Sequence, residues 1–131
     1  MKALLTTLAV IEASVGAVML AVPSFIWTGL LGPPLSGGVE LVIARLVGVA
    51  LLALALAGWL LRNEERSHAM KGLVGAMLLF NFGASGVLLY AGLDWGLFGV
   101  GFWPGVLFHA AMGVWCLLAL LHRPDRIPAD Q

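Results

Sequence analysis

The sequence predicts an all-α integral membrane four-helix bundle. Three observations carry this: 61% of its 131 residues are hydrophobic, only 11% are charged, and the apolar residues gather into four long runs. A water-soluble domain carries about 25% charged residues, far more than this chain could set against water. A bilayer core about 30 Å thick is crossed by roughly 20 apolar residues in a helix. Four stretches meet that length: Ala3–Val22, Val39–Leu61, Met70–Ala91 and Phe102–Leu121. They form one membrane domain over residues 1–131, with a short polar tail at 122–131.

The first run begins like a secretory leader, with Met1-Lys2 before apolar residues. Its length and the acidic Glu12 near its middle make it a membrane helix instead. Pro23 ends it. Gly32-Pro33-Pro34 and Gly37-Gly38 precede the second span, and between these breaks residues 24–31 are too few to cross. That segment reads equally as a short interfacial amphipathic helix partly covering the bundle's mouth, or as an ordinary loop. Arg62-Asn63-Glu64-Glu65-Arg66 separates the second and third spans, and Gly92-Leu93-Asp94 with Gly99 and Gly101 separates the third and fourth. Trp103-Pro104 marks a helix start, where proline's missing N–H costs nothing.

Charge sets the orientation. Lys2, Arg62, Arg66, Lys71, Arg123 and Arg126 all fall at the N-terminus, the middle loop or the C-terminus, and the other two loops hold no basic residue. By the positive-inside rule both termini are cytoplasmic, as in a multi-pass protein of a bacterial inner membrane. Trp27, Trp95 and Trp103 near one boundary, with Trp59 and Trp115 near the other, match aromatic belts. Net charge is zero and there is no basic tract, so no nucleic-acid partner is expected. The single cysteine, Cys116, excludes an intrachain disulfide or a CxxC redox pair and reads as a small apolar core residue.

Each span carries one strongly polar side chain: Glu12, Arg45, Asn81 and His109. A charged residue at a helix centre costs about 2.5–3.5 kcal/mol on insertion scales, so such residues turn inward and find partners. Charge complementarity predicts a Glu12–Arg45 ion pair, with Asn81 and His109 completing one cluster that opens toward the outer face. Gly16, Gly48, Gly105 and Gly113 lie one turn from these residues, and Ser85 shares a face with Met77 and Asn81. Small residues there permit close helix approach or leave room for a ligand. Three readings stand together: a structural polar network, a binding site, and proton-coupled transport through Glu12. No metal site is expected, since His68 and His122 sit at the wrong depth to join His109. No nucleophile–base pair or phosphate loop appears, which leaves an enzyme using His109 as acid or base without a specific reaction.

Echoes between Glu12–Gly16 and Asn81–Gly86, and between Arg45–Val49 and His109–Val114, suggest two pseudo-repeated helical hairpins about an axis along the membrane normal. At Ala44-Arg45-Leu46-Val47-Gly48, Asn81, and Trp103-Pro104 through His109, the chain resembles small bacterial four-span membrane proteins and is broadly similar to the DoxX-like proteins. The polar cluster itself points to a binding or accessory module that holds a lipid, quinone or small anionic group near Arg45 and His109, as a single chain, a homo-oligomer or a subunit of a membrane complex. The resemblance adds weight only to a quinone or a partner membrane subunit. DoxX-like relatives include subunits of quinone-dependent sulfur oxidation, although no residue here carries that chemistry over. Glu12 alone matches the membrane-embedded glutamate of small multidrug-resistance transporters; Arg45 and the one-sided basic residues depart from them.

Overall fold

A computed structural model describes residues 1–64 and 67–122. The described residues form five α-helices and no strand: α1 (Lys2–Ala21), α2 (Pro23–Leu31), α3 (Gly38–Leu61), α4 (His68–Trp95) and α5 (Phe102–Leu121). All but α2 are long and apolar enough to cross a membrane, which makes this a multi-pass membrane protein. The spans agree with the sequence to within a residue or two at most ends. The exception is the C-terminal end of α4, which continues four residues past Ala91. Gly96 stops it in the left-handed conformation (φ 66°), and the Leu97 N–H reaches back to the Ala91 carbonyl to satisfy the helix end. At its start, the Ser67 hydroxyl caps the Met70 N–H at 3.2 Å. The polar tail, beyond His122, lies outside the described residues, as do Arg123, Arg126, Glu65 and Arg66.

The segment between the first two spans is a helix. Pro23 occupies the first turn of α2, and Gly32 (φ 92°) ends it. α2 then docks on the α4–α5 connection: Gly99 N–H donates to the Leu30 carbonyl at 2.9 Å, and Gly101 N–H to that of Gly29 at 2.7 Å. Gly99 must be glycine, because a Cβ there would overlap the Gly29 carbonyl. The entrance of α3 is closed by Glu40, whose carboxylate accepts from the Ser36 N–H (2.7 Å) and the Gly37 N–H (3.3 Å). This acid therefore caps the helix N-terminus.

The spans associate as two antiparallel pairs, α1 with α3 and α4 with α5. Backbone contact drives the first. Gly16 and Gly48 face each other so closely that a Cβ on either would stand 2.9 Å from the other's carbonyl oxygen. The two pairs meet mainly through long side chains instead. Leu4, Leu5 and Leu8 of α1, Met70, Val74 and Met77 of α4, and Met112 and Cys116 of α5 form the buried core between them. That core fills the half of the bundle holding the N-terminus, the 62–64 turn and the end of α5, which share one cavity. Elsewhere the spans present apolar side chains outward, such as Val39 and Leu79, which are about three-quarters exposed and suited to lipid.

Candidate functional site

Three helices contribute to a polar layer just beyond the core, toward the end of the bundle that carries α2. Glu12 follows Leu8 by one turn, Asn81 follows Met77 by one turn, and His109 precedes Met112 by three residues. Glu12 (4% exposed) and Asn81 (0%) are buried, and His109 is half-buried.

Asn81 and His109 are joined directly. The Asn81 amide donates to the Met77 carbonyl at 2.8 Å, which leaves the amide oxygen as acceptor. That oxygen stands 3.0 Å from His109 Nδ1, so this ring nitrogen carries the proton and donates. In the neutral ring the remaining nitrogen, Nε2, is then a lone-pair acceptor. Phe80 and Phe108 meet the imidazole edge-on at centroid distances of 5.8 and 5.4 Å and hold its plane. One turn farther along α4, the Ser85 hydroxyl donates to the Val106 carbonyl at 3.3 Å, a second polar tie between α4 and α5. The stacked face Met77, Asn81 and Ser85 is buried along its length.

Glu12 makes no hydrogen bond or ion pair among the described residues, and the expected bond to Arg45 does not form. Two features of helix geometry prevent it. The buried stripe of α3 is Ala44, Gly48, Leu51, Ala55 and Gly58, and Arg45 lies about 100° around the helix from Ala44. Arg45 is accordingly exposed on the bundle's outer surface. The Gly16–Gly48 register also sets Arg45 level with Met19 or beyond, at least seven residues and so about 10 Å along the axis from Glu12. Arg45 thus stands outside the expected cluster, and among the other three only Asn81 and His109 are bonded to each other.

Of the two roles the small residues could serve, close approach or ligand space, the structure shows close packing at Gly16, Gly48, Gly105 and Gly113. Gly16 and Gly48 serve the α1–α3 crossing. The Leu30 side chain of α2 lies over Gly105, where a Cβ would meet its Cδ2 at 2.8 Å, and the Phe82 ring covers Gly113. Leu30 therefore covers the strip one turn from His109, at Gly105. Neither Leu30 nor Phe82 is placed by hydrophobic periodicity, because both reach the strip from other helices. No group of three His, Cys, Asp or Glu able to hold a metal occurs among the described residues. Comparisons with family models, curated proteins and solved structures find no match to this chain.

Proposed function

We propose that this chain is a small bacterial inner-membrane binding or accessory module whose intramembrane layer Glu12, Asn81 and His109 receives a lipophilic ligand bearing a hydrogen-bonding group. A quinone, its quinol or a lipid hydroxyl has that chemistry. The observation that carries the reading is the Asn81–His109 bond, which fixes one tautomer and leaves Nε2 as an oriented acceptor at bilayer depth. Intramembrane polar residues are functional-site candidates, because insertion disfavours them. With Arg45 outside the layer, a neutral ligand fits better than an anionic one. The basic residues at the end holding Lys2 and Arg62 support cytoplasmic termini. The two antiparallel pairs suit the pseudo-repeat reading and the DoxX-like resemblance, though only the second pair keeps a polar bond between equivalent positions.

Mass spectrometry of small molecules extracted from gently purified protein tests the proposal. A stoichiometric quinone or lipid should accompany the wild type and Arg45→Ala, and be lost from His109→Ala and Asn81→Ala. A folded wild type carrying no such molecule means the layer is structural.

A proton-coupled transporter is the second reading, favoured by the buried and unpartnered Glu12 carboxyl. In proteoliposomes, Glu12→Gln should then abolish proton flux while His109→Ala spares part of it.

A further inference from the structure

Away from the polar layer, the other face of α1 and α3 carries a groove. On the basic side of the Gly16–Gly48 crossing the two helices leave a trough of about 490 Å³ open to the bilayer. Its walls are small, with Ala9, Ala13, Ser14 and Ala55 beside Leu56, and Trp59 closes its basic end. The Ser14 hydroxyl bonds back to the Val10 carbonyl at 2.8 Å, so the trough offers its occupant almost no free polar group. From Leu52 to Trp59 it runs seven residues, about 10 Å along the membrane normal.

A cation stands at that closed end. The Arg62 guanidinium lies 3.5 Å from the centroid of the Trp59 ring and also donates to the Trp59 carbonyl. Both contacts hold it at the boundary where Trp59 belongs. Arg62 and Lys2 also line an end cavity of about 730 Å³ whose walls include Met70 and Trp115, and Glu64 is the acid found there among the described residues. An apolar trough within the bilayer, leading to cations at headgroup height, matches the shape of one phospholipid.

We propose that the α1–α3 groove holds an acyl chain of a phospholipid with an anionic headgroup, its phosphate engaged by Arg62 and Lys2. A helix of a second copy could also enter a small-walled groove, but it would leave the two cations unanswered.

Native mass spectrometry of the delipidated full chain in detergent tests this, with phosphatidylglycerol or phosphatidylcholine of identical chains added. The wild type should hold one phosphatidylglycerol about fivefold more tightly than phosphatidylcholine, the discrimination that about one basic residue supplies at a lipid surface. Arg62→Gln should weaken that preference, and Arg62→Gln combined with Lys2→Gln should erase it. Ala13→Leu fills the trough and should lose retention of both lipids, and Trp59→Ala, at a half-exposed position, should weaken it in a second, independent way. Equal retention of the two lipids by the wild type overturns the proposal, as does undiminished retention by both groove variants. So does a wild-type dimer that Ala13→Leu splits into monomers, which would make the groove a helix interface.

Discussion

The His109 imidazole and the Asn81 amide are bonded across α4 and α5 at 3.0 Å, in a pair of helices whose other polar tie is the Ser85–Val106 bond. The bond uses a donor and an acceptor that each have few alternatives in a bilayer. Its energetic weight should still be modest, since the unfolded state in a membrane also finds partners. A double-mutant cycle with Asn81→Ala and His109→Ala, read by unfolding in detergent, should give a coupling of about 0.5–1.5 kcal/mol. Coupling near zero would mean that the two side chains do not act together.

Arg45 and Glu12 make the contrasting case. Because they lie on different faces and about 10 Å apart along the axis, their mutations should be additive. Arg45→Leu should shift the unfolding midpoint little, by less than about 0.5 kcal/mol, as expected for a surface position. A cycle combining it with Glu12→Gln should show no coupling. A term above about 1 kcal/mol would restore the ion pair that charge complementarity alone suggests.

These two pairs show what the sequence could and could not tell. The spans, their count and their breaks follow from apolar length and from Pro and Gly, because a bilayer admits few alternatives to a helix. The burial of Glu12 and Asn81 follows from the same cost. Which polar residues meet does not follow, because partner choice depends on helix phase and on register between helices. The Gly16–Gly48 contact sets that register for α1 and α3, and it turns Arg45 away from the interior. Likewise, Gly105 and Gly113 in the sequence allow either close approach or ligand space. Only the structure brings Leu30 and Phe82 from other helices onto them.

Glu12 separates stability from function. A buried carboxyl without a partner carries a desolvation cost, and a well-packed apolar replacement removes it. Glu12→Leu should therefore leave the bundle as stable as the wild type or raise its stability by about 1 kcal/mol, while ligand retention or proton flux disappears. Thermal unfolding in detergent, run beside the retention assay, decides this. A strongly destabilised Glu12→Leu bundle would instead make the carboxyl a structural element with a partner in the membrane.

The glycines divide into those that the packing requires and those that it does not. At Gly16 a Cβ would stand 2.9 Å from the Gly48 carbonyl, with Leu51 and Leu52 at 3.1 Å, so backbone must move to admit it. Gly16→Ala should separate α1 from α3 and cost about 1–3 kcal/mol. Gly75 and Gly83, in the middle of α4, have nothing within 4 Å of a Cβ. Alanine at either should be neutral or stabilise by up to about 1 kcal/mol, because it lowers the entropy lost on forming the helix. Unfolding midpoints of the three variants in one detergent make the comparison. If Gly16→Ala matched Gly75→Ala, side-chain packing rather than backbone approach would hold the first pair together. The register that turns Arg45 outward would then need another cause.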